Sequence, residues 1–383
     1  MSDNVTRQDL DAMIQHLSQD DPRLTHGPAV VRFEDAWSRW VGVDHTVMLN
    51  SGSSANDLSM LAVRYLRGPG EVVLPPLGWV SDVASVLHAG HRPVFVDIEL
   101  DTLAPSAEAI SARIGVDTKC VLLVHILGLN ALTPAHLELF GSRPDVPLIE
   151  DVCESHGAMV GDRLAGSIGW LSNFSFYYAH HLTTMEGGAV CTSDPDAYEL
   201  IRMLRSHGLV RELSDQTRRR DLVDRHPDLN PEFIFEFAAH NMRPIELQGV
   251  LGLSQLERLD DNNKARRHNF EQFLTALDPE RFVTELSVEG QSNYAFIVIL
   301  RHPDFKLRDR LESAMRSARI EFRRGLSGGG NQLRQPYLRG AVDVDLADFP
   351  NVEHVHHYGW YIGNYPELPS ERISVLCDLL NSA

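Results

Sequence analysis

Two runs at residues 119–128 and 147–151, continuously apolar at 120–124 and 147–149, restrict the fold more than any other feature of the chain. A strand that is apolar at every position has no solvent face. It belongs inside a sheet covered on both sides, which makes that sheet mostly parallel with helices above and below. The rest of the first half alternates in the same sense. Leu10, Met13, Ile14 and Leu17 recur at helical spacing, as do Phe33, Trp37 and Trp40 after the Gly27-Pro28 break, and short strands follow at 45–49, 71–74 and 93–97. The expected class is α/β.

The length of 383 residues suits one large and one small domain, with the division expected at 1–250 and 251–383. A formal charge of −18 sets the surface against phosphate polymers, so neither nucleic acid nor a membrane is an expected partner, and any anionic ligand needs a local basic pocket. No run approaches the roughly 18 to 20 apolar residues that span a bilayer, and Met1-Ser2-Asp3-Asn4 lacks a basic-then-apolar leader; a cytoplasmic location is expected. Cys120, Cys153, Cys191 and Cys377 are scattered, without the spacing of a zinc or iron–sulfur site, and no metal is expected.

Ligands of open parallel sheets lie beyond the carboxyl ends of the strands, and polar residues gather at several of those ends. Ser51-Gly52-Ser53-Ser54 joins the strand at 45–49 to a helix. Free backbone N–H groups and the helix dipole suit an anion there, although serine is equally a plain N-cap. Asp151 ends a buried strand, where a carboxylate is costly without a cation or strong donor; capping is its other use. Trp79, after Pro75-Pro76-Leu77-Gly78, is on its own as compatible with a core position. Residues 175–188 turn an aromatic strand into a polar loop that Gly187-Gly188 closes before a returning strand at 189–192. The pair His180-His181 in that loop is either a hydrogen-bonded turn feature or a catalytic one.

Taken together, Ser175-Phe176-Tyr177-Tyr178-Ala179-His180, Met185-Glu186-Gly187-Gly188, Asp151-x-x-Glu154-Ser155 and the Ser51 turn resemble the aspartate-aminotransferase-like enzymes of fold type I that use pyridoxal 5′-phosphate (PLP). Within these the likeness is to the nucleotide-sugar aminotransferase and dehydratase family. Its motif is Ser-Phe-x-x-x-Lys, the lysine holding PLP as a Schiff base, and here His180 takes the lysine's place. That substitution resembles the sugar 3-dehydratases, those acting on GDP-4-keto-6-deoxymannose being the nearest likeness.

The resemblance implies a role for each residue. Ser53 and Ser54 hold the cofactor phosphate, Trp79 stacks on the ring, and Asp151 pairs with the pyridine nitrogen so that the ring acts as an electron sink. Glu154 and Ser175 complete the cofactor site. Asn241 reaches the phosphate of the partner subunit, which implies a homodimer with shared active sites. His207 and Arg243 are expected at the substrate. His180, expected to titrate near neutrality, would be the proton carrier, while His181, one residue on, is expected to face the other way. The chain has three lysines, Lys119, Lys264 and Lys306, and none lies at a strand end facing Asp151. The implied cofactor is therefore held non-covalently and alternates between PLP and pyridoxamine 5′-phosphate (PMP) at the expense of L-glutamate. The implied reaction removes the C3 hydroxyl of a nucleotide-linked 4-keto-6-deoxy sugar and releases ammonia, a step of deoxysugar synthesis for lipopolysaccharide O-antigen. A sugar aminotransferase working without the lysine and an inactive binding homologue are the alternatives.

Beyond residue 192 a helix is expected at 196–204, then a polar loop at 209–240 carrying Arg218-Arg219-Arg220, and a single long helix from 241 to about 277. Strands at 294–300 and 320–323, a helix at 306–318 and the glycine-rich 325–331 complete an α+β small domain.

Overall fold

The strands of the computed structural model, which describes residues 4–383, are β1 His45–Leu49, β2 Glu71–Leu74, β3 Arg92–Phe95, β4 Thr118–Val124, β5 Leu148–Asp151, the small hairpin β6 Met159–Val160 and β7 Arg163–Leu164, β8 Leu171–Ser175, β9 Gly188–Thr192, β10 Ala295–Ile299, β11 Phe322–Arg324 and β12 Gly359–Gly363. Seven of them form one sheet in the order β1-β9-β8-β5-β4-β2-β3. Its members run parallel except β9, which is antiparallel to both neighbours. The exception has a simple cause: residues 176–187 form a turn, not a crossover helix, and a strand that returns without a crossover must pair antiparallel.

The apolar strands are covered on both faces. Val72, Leu74 and Leu122 point into one core with Leu58 and Val86, whereas Val73, Val121 and Leu123 point into the other with Phe33 and Trp37. This alternation is the period-two geometry of a strand with two buried faces. The architecture is the aspartate-aminotransferase-like fold: a mixed sheet between helices, followed by a smaller C-terminal unit. In that unit β10, β12 and β11 make an antiparallel sheet, and Phe296 and Trp360 join its core to that of the large sheet.

Two expectations are corrected. The long helix is two, Glu246–Leu256 and Leu259–Ala276. Neither glycine nor proline marks the break; Arg258 leaves helical geometry there, and its guanidinium binds the buried Asp9 carboxylate at 2.5 Å and the carbonyl of Asn4 at 3.2 Å. Residues 241–245 precede the helix, and Asn241 pairs instead with Ser206. The polar stretch at 209–240 in turn contains a helix, Gln216–Asp224, capped by the Asp215 carboxylate. On it Arg218 pairs with Asp196 and Asp215 and Arg219 with Glu232, so these arginines brace the segment itself.

Candidate active site

The carboxyl ends of β1, β2, β5 and β8 open onto one cavity of about 990 Å³, closed on its far side by the small sheet and the last helix. Ser53, Trp79, Asp151, Glu154, Ser175 and His180 all line it. Two close approaches hold its floor. A Cβ on Gly52 would lie 2.5 Å from Cβ of Ser175, and one on Gly188 would lie 2.3 Å from the Ser51 carbonyl. Glycine at both places lets the start of the helix Gly52–Arg67 sit directly on the β8–β9 turn.

At the helix start Ser51 is the N-cap, its hydroxyl accepting from the Ser54 N–H. Ser53 is exposed toward the cavity, whereas Ser54 is buried and its hydroxyl donates to Asn50 Oδ1 at 2.6 Å. Of the two serines assigned to a phosphate, only Ser53 faces the cavity. Trp79 is the residue before the helix Val80–His88 and is 54% exposed, so it is no core residue.

Asp151 is buried at the end of β5 and accepts from Cys153 N–H and from Asn56 Nδ2, both at 2.9 Å and both neutral. The Asn56 amide is itself oriented: Ser59 donates to Asn173 Oδ1, Asn173 donates to Asn56 Oδ1, and the Asn56 NH₂ is left for carboxylates. Glu154, held by the Leu127 N–H and the Ser327 hydroxyl, is pushed up to about 7 by burial, with Asp151 adding to the rise.

His180 sits in the turn after β8, its ring 5.5 Å from that of Tyr294 and its Nδ1 without a hydrogen-bond partner. Burial brings its imidazolium down to about 4, against the pull of Asp151 and with help from Arg266. This corrects the expectation of a near-neutral group: the ring is a neutral base throughout the physiological range. The carbonyl of His180 accepts from the Asn4 side chain at 2.7 Å. His181 does not line the cavity; its Nε2 lies 2.9 Å from the Ser292 carbonyl, and its ring packs against His156 and, like that of His180, against Tyr294.

Asn241, His207 and Arg243 do not line this cavity among the described residues. They form a cluster of their own, in which the His207 N–H donates to the His240 carbonyl and Asn241 Oδ1 accepts from the Arg243 N–H. Asp82, Arg266 and Tyr294 line the cavity and were not singled out from the sequence. For Asp82 a signal was present, the lone carboxylate of its helix; Arg266 sits among other polar residues of its helix and gives none.

Residues 5–381 match the model of the DegT/DnrJ/EryC1/StrS aminotransferase family. The chain is 29% identical over 368 residues to a GDP-4-keto-6-deoxy-D-mannose 3-dehydratase of Escherichia coli O55:H7, covering 94% of each chain. A solved structure of an E. coli GDP-4-keto-6-deoxy-D-mannose 3-dehydratase with bound hydrated PLP superimposes with a TM-score of 0.88 at 28% identity, over 99% of this chain and 98% of that one. Another of a GDP-4-keto-6-deoxymannose 3-dehydratase, with a trapped PLP-glutamate geminal diamine, gives 0.87 at 27% identity, over 99% and 98%. The cavity fits the same cofactor: a strand-end carboxylate with only neutral donors, a helix N-terminus presenting Ser53, and an exposed indole beside them. The cofactor is PLP with its amine form PMP.

Proposed function

The chain belongs to the DegT/DnrJ/EryC1/StrS aminotransferase family, and on that premise we propose that it is a 3-dehydratase of a nucleotide-linked 4-keto-6-deoxy sugar. GDP-4-keto-6-deoxymannose is the substrate we put first, L-glutamate is the amino donor, and the products are 2-oxoglutarate, ammonia and a 3-deoxy-4-keto sugar for deoxysugar synthesis. The observation that carries this reading is His180 in the cavity with no lysine among the lining residues. Lys119 lies near the opposite end of β4, Lys264 pairs with Asp261 on the surface, and Lys306 is in the first turn of the helix Phe305–Ser317.

When bound, the cofactor supplies an amino group and an electron sink. Asp151 would pair with the ring nitrogen, the helix start at Ser53 would take the phosphate, and Trp79 would cover the ring. His180, the ring that lines the cavity, accepts a proton and returns it to the departing C3 hydroxyl. Burial of that ring also keeps bulk water from the proton. Asn241, His207 and Arg243 lie outside their own chain's cavity, and we assign them to the site of the second subunit of a homodimer.

The test is incubation of the purified protein with PLP, L-glutamate and 4-keto-6-deoxy sugars on GDP, dTDP and CDP. Ammonia and a 3-deoxy sugar are expected with the GDP substrate. A stable amino sugar without ammonia would make the protein an aminotransferase.

A further inference from the structure

Asp82 stands in the first turn of the helix Val80–His88, only 3% exposed, with its carboxyl turned into the cavity. Its Oδ1 accepts from Asn56 Nδ2 at 2.8 Å, the same amide nitrogen that donates to Asp151 at 2.9 Å. One NH₂ group thus ties two carboxyls together, and they lie within hydrogen-bonding reach of each other. The second oxygen, Oδ2, is buried and has no partner. It is pressed so close to the backbone that a Cβ on Gly78 would lie 2.5 Å from it.

Two buried carboxylates sharing one amide repel each other, and that amide together with the backbone N–H at Trp79 does not offset the repulsion and burial. The other titratable groups facing Asp82 make matters worse. Cys153 and Glu154 come from the segment after β5, Tyr337 from the loop following Ser327, and none is a cation. Burial and the Asp151 charge both drive Asp82 upward.

We propose that Asp82 is a positioning residue for the cofactor counter-ion: it works as the neutral acid, its O–H donating to the Asp151 carboxylate, while Asp151 alone meets the ring nitrogen as the anion. A single proton serves the pair and stays on Asp82, so the site presents one fixed negative charge to the ring. The Asn56–Asn173–Ser59 chain fixes the geometry from behind. The inference rests on the PLP/PMP cofactor and not on the sugar, so failure of the dehydration assay leaves it untouched.

The experiment compares wild type with Asp82→Asn, Asp82→Ala and Asp151→Asn, reading PLP affinity by absorbance titration and the infrared carbonyl band of neutral carboxylic acids. Asparagine keeps a neutral donor, so Asp82→Asn is expected to bind PLP within about twofold of wild type and to lose part of the acid band. Removing the donor in Asp82→Ala is expected to weaken PLP roughly tenfold or more, the usual size of a hydrogen bond to a charged group. If Asp82→Asn binds PLP as poorly as Asp151→Asn, or keeps the full acid band, Asp82 is an ionised carboxylate and the proposal falls. It falls too if a folded Asp82→Ala binds normally. The infrared comparison needs only the asparagine variant, so the test survives a failure of the alanine variant to fold.

Discussion

His180 and His181 are neighbours with opposite duties, and their variants are expected to part accordingly. His180→Asn removes the base at the cavity, and the dehydration rate is expected to fall by roughly 10² to 10⁴, the usual span of general acid–base effects. His180→Lys places an amine where His180 stands, so borohydride is expected to fix PLP covalently to this variant and not to the wild type, as mass spectrometry would read. His181 makes its hydrogen bond to Ser292 in full burial. His181→Ala is expected to cost about 1–3 kcal/mol in denaturant unfolding, while the folded fraction keeps its PLP affinity. Asp151→Asn, which leaves no anion facing the ring nitrogen, is expected to weaken PLP by roughly 10- to 100-fold. That His180 and not His181 lines the cavity accords with the sequence reading, although both rings pack against Tyr294 and His156. The low proton affinity of His180 was not legible in the sequence, because it comes from burial in the folded cavity wall and from the charge of Arg266, more than eighty residues away in the chain.

At the scale of elements, the close contact between the β8–β9 turn and the helix Gly52–Arg67 holds the site together. Gly188→Ala would place a Cβ 2.3 Å from the Ser51 backbone. The variant is expected to lose about 1–3 kcal/mol by overpacking and to bind PLP more weakly, measurable by thermal melts with and without cofactor. Equal losses in the two melts would mean that this contact does not shape the phosphate end. Most strands of the large sheet, together with β10, were legible as short apolar runs with polar punctuation, and so was the helix start at Ser51, whereas β6, β7 and β12 were not foreseen. The break at Arg258 was hidden, since helical periodicity continues across it and its cause is a carboxylate in the first helix. The helix Gln216–Asp224 was hidden for the opposite reason: it has almost no apolar face, and its braces, Asp196 and Glu232, lie outside it.

For the whole molecule the buried histidines set the response to acid. Burial lowers His26, His91, His136, His156, His180 and His181, with His26 and His180 at about 4. A base whose folded value lies below its unfolded value of about 6.5 takes up its proton preferentially in the unfolded chain. Its contribution is therefore complete above about pH 6.5 and is lost as the pH falls toward about 4. Glu154 and Asp82, raised by burial, act in the opposite sense, but the histidines outnumber them. Melting temperature is expected to decline steadily on acidification from about pH 6.5; a flat profile down to about pH 5 would contradict it. The two-faced core was foreseeable at this scale from the apolar runs; the order of the sheet, with β9 inserted antiparallel, was not. Nor was the closing of the cavity by the small sheet, because β10, β11 and β12 are far from Asp151 in sequence and meet it only through packing. One contact already described bears on how the protein should be handled. Asn4, clamped through its carbonyl by Gln255 and Arg258, donates its side chain to the carbonyl of His180. Trimming that removes Asn4 would therefore loosen the turn that carries His180, so preparations should retain it.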